Sequence, residues 1–211
     1  MTFEEAQQEY DRLVGAYSGK SVDELFALTN GNEIGFLIAI EIAIHQKEER
    51  EEQELSEEET LVLAVEALER EVNNGGFSQF FVNSSRVYTP IIADALQRIG
   101  CPETARIAER AVKAAGFQGL PPFRLCQALE AYCAEYLRRN KHRFVAPGSA
   151  SGIEEIASVS LPAESEFQYG ATWELRDEEL DECDRLYYGA GENIGGQLIG
   201  FINANKNAIQ P

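Results

Sequence analysis

Glu48, Glu49, Glu51, Glu52, Glu54, Glu57, Glu58 and Glu59 put eight carboxylates into twelve residues, with Arg50 the one cation among them. Along a helix, at about 1.5 Å rise per residue, the run gives roughly one carboxylate per 2.2 Å. Duplex DNA carries about one phosphate per 1.7 Å of axis, so the densities are comparable. The competing reading is an ordinary solvated helix or linker. A second set comprises Asp177, Glu178, Glu179, Asp181, Glu182 and Asp184. Helical spacing puts Asp177, Asp181 and Asp184 on one face. A calcium loop would need a central glycine and alternating ligands, and the sequence has neither, so no metal site is expected. A solvated face, or part of an acidic binding surface, is the expectation there.

Other reactive side chains are sparse. The two histidines, His45 and His142, are far apart, and His142 sits in the basic stretch Arg138-Arg139-Asn140-Lys141-His142-Arg143. No zinc-protease, nucleophile-elbow, phosphate-loop or dinucleotide-binding pattern is present. Gly189-Ala190-Gly191 and Gly195-Gly196 have no preceding strand and no lysine at phosphate-loop spacing. No enzyme activity and no cofactor are expected. The cysteines, Cys101, Cys126, Cys133 and Cys183, contain no CxxC pair and read as buried free thiols.

The charge balance points to the kind of partner. The chain has 36 acidic against 18 basic residues, a net charge of −18. Such a surface repels phosphates and anionic membranes and attracts basic proteins. The charge is also blocked: residues 150–184 hold eleven acidic residues and one basic one, whereas residues 98–143 hold nine Lys/Arg against four Glu. The basic stretch at 138–143 is expected to neutralise an acidic neighbour, within the fold or across a dimer. The longest apolar run, Phe36 to Ile44, is far short of the roughly 20 residues of a membrane span. The acidic opening Met1-Thr2-Phe3-Glu4-Glu5 is unlike a secretory signal, so a cytoplasmic location is expected.

Helices must position these groups. Residues 2–16 carry Phe3, Ala6, Tyr10, Leu13 and Val14 near one face. Ser21-Val22-Asp23-Glu24 and Ser56-Glu57-Glu58-Glu59 are capping boxes that open helices. Between them, Ile38, Ile40, Ile42 and Ile44 alternate as in a strand. The run into Gln46-Lys47-Glu48-Glu49-Arg50 instead predicts a buried helix over 33–50 with a charged extension. The helix from Ser56 is expected to stop at Asn73-Asn74-Gly75-Gly76, with Phe77, Phe80 and Phe81 on a short helix beyond. Thr89-Pro90 reads as an N-cap and first helical residue of a helix to Ile99. Further helices are expected from Cys101-Pro102 to Ala115, from Pro121-Pro122 to about Arg139, from Leu175 to Tyr188 and from Glu192 to Asn205. Proline and glycine punctuate an irregular connection near residues 144–173, which Trp173 closes.

The segment Glu71-Val72-Asn73-Asn74-Gly75-Gly76-Phe77-Ser78-Gln79-Phe80-Phe81-Val82-Asn83-Ser84-Ser85 is the most distinctive in the chain. With Ala95–Gly100, Ala105–Ala108 and Leu180–Tyr188, it resembles the signature of a bacterial family of small acidic helical proteins whose known example is a DNA mimic. The resemblance covers residues 58–138 and 175–203. It implies an all-helical fold, often dimeric. It also implies that surface carboxylates imitate DNA phosphates and occupy a transcription factor's DNA-binding face. Within the motif, Asn73, Asn74, Gly75, Gly76, Phe77, Phe80 and Phe81 read as structural, a helix cap followed by an aromatic wedge.

These observations converge on an all-α bundle in a single domain, with a family-like core at about 58–203 and a helical extension at 1–55. The leading functional reading is a non-enzymatic, acidic protein-binding protein acting as a DNA mimic on a basic nucleic-acid-binding protein. It would bind neither nucleic acid nor membrane directly, and a homodimer is a second expected association. The expected partner surface is Glu48, Glu49, Glu51, Glu52, Glu54, Glu57, Glu58 and Glu59, with Asp177, Glu178, Asp181 and Glu182 as a second patch. The alternative is an immunity-like or scaffold module that binds by shape.

Overall fold

The computed structural model describes Arg12 and residues 15–49, 54–144 and 173–211. Among these residues there are eight α-helices with described bounds, one 3-10 turn and no strand, the all-α class the sequence predicts, and Arg12 and residues 15–17 are also helical. The helices are α1 (Val22–Leu28), α2 (Glu33–Glu49), α3 (Glu57–Val82), α4 (Ile92–Ile99), α5 (Pro102–Ala114), α6 (Pro122–Phe144), α7 (Trp173–Gly189) and α8 (Ile194–Ala204). The 3-10 turn is Ser84–Tyr88. Most of the helix expected over 2–16, and residues 145–172 of the expected irregular connection, lie outside the described residues.

The chain groups into two compact units. The first takes Met1–Ala67, Asp94–Ala105 and Gly191–Pro211, and the second takes Leu68–Ala93 and Arg106–Ala190.

In the first unit α1 opens with the predicted capping box. The Ser21 hydroxyl accepts from the Glu24 amide, and the Glu24 carboxylate accepts from the Ser21 amide at 2.8 Å. The carboxylate thereby gains hydrogen bonds, which holds its pKa below the ordinary value. Asn30 and Gly31 turn the chain at positive φ, and the Asn32 side chain accepts from the Gly35 amide at 2.7 Å to start α2. Phe36, Leu37, Ala39, Ile40, Ala43 and Ile44 are buried along α2, and both α1 and α8 pack against it. The alternating isoleucines are therefore helical. Only Ile40 and Ile44 of the four enter the core, and they are one helical turn apart.

The second unit is built around aromatic rings. Phe77, Phe80 and Phe81 are buried, and Phe81 meets Phe117 and Tyr132 edge-on at 5.2 and 6.0 Å. Tyr132 also packs on Trp173 at 5.2 Å. Edge-to-face pairs at these separations add directional preference to simple burial.

Several boundaries differ from the sequence reading. Thr89 is not an N-cap: its φ and ψ are helical, −48° and −40°, whereas an N-cap residue is extended. The 3-10 turn instead runs on through hydrogen bonds from Thr89 N–H to the Arg86 carbonyl and from Ile91 N–H to the Tyr88 carbonyl, so α4 begins at Ile92. Helix α6 continues past Arg139 to Phe144, because the basic stretch at 138–143 contains no proline or glycine to stop it. Helix α8 starts after Asn193, whose side chain accepts from the Gly196 amide at 3.0 Å. Glu192 serves another helix: its carboxylate accepts from the backbone amides of Glu103 and Thr104, at the positive N-terminus of α5. All four cysteines are free, but Cys126 is exposed and Cys133 half-buried, so only Cys101 and Cys183 match the expectation of burial.

Candidate protein-binding surface

The glutamate run does not form one charged helix. Helix α2 ends at Glu49 and α3 begins at Glu57, with non-helical residues at 54–56. The end of one helix and the start of the next are tied together within the first unit. The Lys47 ammonium donates to both Glu59 oxygens, at 2.8 and 2.9 Å. Glu59 also accepts from the Ser56 amide, completing the second capping box, and from the Gln210 amide at 2.9 Å. The Ser56 hydroxyl donates to the Ala208 carbonyl. Glu59 is thus fully buried, and it drops out of the expected partner surface because the fold uses its carboxylate.

Its neighbours face outward. Glu48, Glu49, Glu54 and Glu57 are exposed and Glu58 is partly exposed. Glu48 lies 3.3 Å from the His45 ring. Arg98 of α4 reaches Glu57 at 2.5 Å and Glu58 at 3.3 Å. Glu51 and Glu52 lie outside the described residues. The first patch is therefore a corner between two helix ends, which replaces the rod assumed in the density comparison with DNA.

The second patch lies in the second unit, on α7. Asp177, Glu178 and Asp181 are exposed, while Glu182 is partly buried and paired with Arg185 at 2.7 Å. Cations interleave with it: Arg110 reaches Glu179 at 2.6 Å, and Arg139 reaches Glu174 at 2.9 Å. The Arg139 pair is a neutralising contact of the kind expected of the basic stretch. A groove of about 970 Å³ is lined by Arg110, Lys113, Arg176 and Arg185 as well as by Glu178, Glu179 and Asp181, so this face is mixed in sign. Asp184 does not share the outward face of Asp177 and Asp181. It is partly buried and accepts from the Phe77 amide at 2.8 Å.

That bond explains the distinctive motif. Helix α3 breaks at Gly75 and Gly76, and Gly76 has φ 77° and ψ −176°, a conformation essentially reserved for glycine. A Cβ on Gly76 would also fall 2.1 Å from an Asp184 carboxylate oxygen. The break frees backbone groups that need partners. Asp184 takes the Phe77 amide, and the Tyr188 hydroxyl donates to the Val72 carbonyl at 2.7 Å. Glu71 spans the kink, accepting from the side-chain amides of Gln79 and Asn83 at 2.8 and 2.7 Å. The Tyr187 hydroxyl donates to Glu69. Asn73 and Asn74 remain exposed on the last turn before the break, and Asn73 donates to the Glu69 carbonyl. Burial raises the pKa of Glu69 against the opposing effect of the Tyr187 bond, and raises that of Asp184 against the opposing effect of the Phe77 amide. Burial also pushes the Cys183 thiol up to about 11, which keeps it protonated and unreactive at neutral pH. Glu69, Glu71, Tyr187 and Tyr188 have no assigned role in the sequence reading, and Asp184 is expected there on a solvated acidic face.

Among the described residues no group of His, Cys, Asp and Glu is arranged to hold a metal ion, and no helix is long and apolar enough to cross a membrane. Fold and surface together define an acidic, all-helical protein with carboxylates exposed on both units. The chain belongs to the DMP19-like protein family, which matches residues 53–205, more than two thirds of its length. The match encloses both segments of the resemblance, and α1 and α2 precede it. Comparison with curated proteins and with solved structures gives no match.

Proposed function

We propose that this chain is a non-enzymatic protein-binding protein that acts as a DNA mimic, occupying the DNA-binding face of a basic partner such as a transcription factor. Membership of the DMP19-like family carries the reading. The net charge of −18 and the exposed carboxylates of the α2–α3 corner support it. The interacting groups are Glu48, Glu49, Glu54, Glu57 and Glu58, together with Glu51 and Glu52 from the same run. Asp177, Glu178, Asp181 and Glu182 supply a secondary patch whose field the neighbouring arginines weaken. Partner capture is driven by long-range attraction, so association is fast and falls steeply with salt.

The test is capture of partners from native lysate at low salt, followed by elution in a salt gradient and in competing duplex DNA. Basic DNA-binding proteins should elute at moderate salt and be displaced by DNA. Reversing Glu48, Glu49, Glu54 and Glu57 to Lys together should abolish capture while leaving thermal unfolding nearly unchanged. A partner that survives both high salt and the reversal would replace mimicry with recognition by shape.

A further inference from the structure

The sequence contains two Asn-Gly pairs, and both are exposed: Asn30-Gly31 in the turn between α1 and α2, and Asn74-Gly75 within α3. This dipeptide can modify itself. The glycine amide nitrogen loses its proton and attacks the asparagine side-chain carbonyl carbon. The new C–N bond closes a five-membered succinimide, and the side-chain nitrogen leaves as ammonia. Water then opens either ring carbonyl, giving aspartate or its β-linked isomer, isoaspartate. No oxidant or cofactor takes part. Glycine favours the attack because no Cβ crowds its nitrogen.

Ring closure needs rotation about the asparagine Cα–C bond, and there the two pairs differ. Asn74 keeps helical backbone angles, since the break in α3 begins only at Gly75. Turning its ψ away from the helical value of about −42° would break hydrogen bonds on both sides of it. Asn30 lies outside any helix, after α1 ends at Leu28 and before α2 begins at Glu33. Its φ is 52°, and Gly31 follows at 71°. Asparagine visits this left-handed region as a single residue, with no helical ladder to hold it there. The attacking nitrogen, that of Gly31, donates to the Phe26 carbonyl at 3.3 Å, longer than the usual distance of about 2.9–3.0 Å. That one long bond is a weaker restraint than a continuous helix.

We propose that Asn30 is a site of spontaneous deamidation in the folded protein, while α3 protects Asn74. The reaction adds a carboxylate to an exposed turn of the first unit. Its β-linked product also inserts a backbone carbon just before Asn32, whose side chain caps α2. The experiment incubates the full chain at neutral pH in oxygen-18 water, folded and in urea, then digests it in ordinary water and maps the peptides by mass spectrometry. Opening of the succinimide takes its oxygen from solvent, so the heavy label marks conversion during the incubation. In the folded chain the Asn30 peptide should convert at least several-fold faster than the Asn74 peptide, to a mixture of aspartate and isoaspartate. In urea the two should convert at similar rates. Asn30→Gln should remove the fast product, because the longer side chain must close a six-membered ring. Asn30→Asp, which keeps the shape of the side chain, should show the acidic shift in isoelectric focusing from the start. Equal rates in the folded chain would overturn the proposal, because the backbone would not be selecting the site. Conversion of Asn30 in urea alone would also overturn it, because the turn would then protect Asn30 as the helix protects Asn74.

Discussion

The α2–α3 corner and the α3 kink both bury carboxylates, but they satisfy them differently. At the corner Glu59 meets a lysine ammonium at 2.8 Å as well as two backbone amides. At the kink Asp184 meets the Phe77 amide, Glu69 a phenol and Glu71 two side-chain amides. Full burial of a charge beside a close cation makes a clamp that fails when either partner is removed. At Asp184 and Glu69, partial burial against neutral donors leaves a carboxylate that takes up a proton more readily than in water, as their raised pKa values indicate. The corner is therefore sensitive to the loss of one charge, and the kink to shape and to pH.

Glu59→Ala should break the corner most severely. It strips the Lys47 ammonium, which is 15% exposed, of its counter-charge and removes the capping box and the Gln210 contact. Loss of one member of a buried pair costs about 3–5 kcal/mol, and the partial exposure of Lys47 points to the lower end. Urea unfolding would measure this. A cost below about 1 kcal/mol, the usual worth of an exposed pair, would mean the clamp is no stronger than a surface contact.

Gly76→Ala tests the kink. The new Cβ would sit 2.1 Å from the Asp184 carboxylate at a backbone angle that L residues rarely adopt. Backbone strain of this kind costs about 1–3 kcal/mol, and displacing Asp184 also leaves the Phe77 amide without its cap. A total of about 2–4 kcal/mol is expected from the strain and the lost hydrogen bond, read by the same unfolding experiment. If the variant matched the parent, the geometry of the break would be permissive and the role of glycine there would fall.

The pH dependence separates the two regions more finely. Folded Asp184 and Glu69 hold their protons more tightly than they do in the unfolded chain. Their contribution to stability is therefore fully present below the ordinary carboxylate range and is lost as pH rises through their raised values. Exposed Glu24, lowered by its bonds to Ser21, acts in the opposite sense, and its contribution is lost as pH falls. Comparison of the parent with Asp184→Asn isolates one group, because the amide oxygen can still accept from Phe77. The parent should lose stability relative to the variant as pH rises through that window. Parallel curves would exclude Asp184 as a titrating group.

How much of this was legible depended on how local the signal is. The capping boxes at Ser21 and Ser56 use partners three residues away, and both formed as the sequence implies. Thr89-Pro90 carried an equally local signal and failed, because the preceding 3-10 turn holds Thr89 in a helical conformation. Glu59 received two conflicting readings, as the closing residue of a capping box and as part of an exposed run. The cap prevailed because it turns the carboxylate back toward Ser56, where Lys47 and Gln210 also reach it. Asp184 gave no local sign of its role, since its partner is 107 residues away. A carboxylate that caps a distant kink and one that faces solvent look alike when only their own helix is considered.

The smallest expected effect on stability is also the most informative about function. Glu48, Glu49 and Glu54 are exposed, and the Glu57 side chain is 78% exposed beside Arg98. Single changes of these residues to Gln should each alter stability by no more than about 0.5 kcal/mol, because solvent screens surface pairs and exposed chains give up entropy to form them. Net charge becomes less negative with every change, so partner association should slow stepwise and its salt dependence should flatten. Stopped-flow association with a captured partner, measured at several ionic strengths, reads both quantities. Equal slowing at low and high salt would show that the affected carboxylates act through contact geometry, and the corner would then be a shaped surface in place of a charged one.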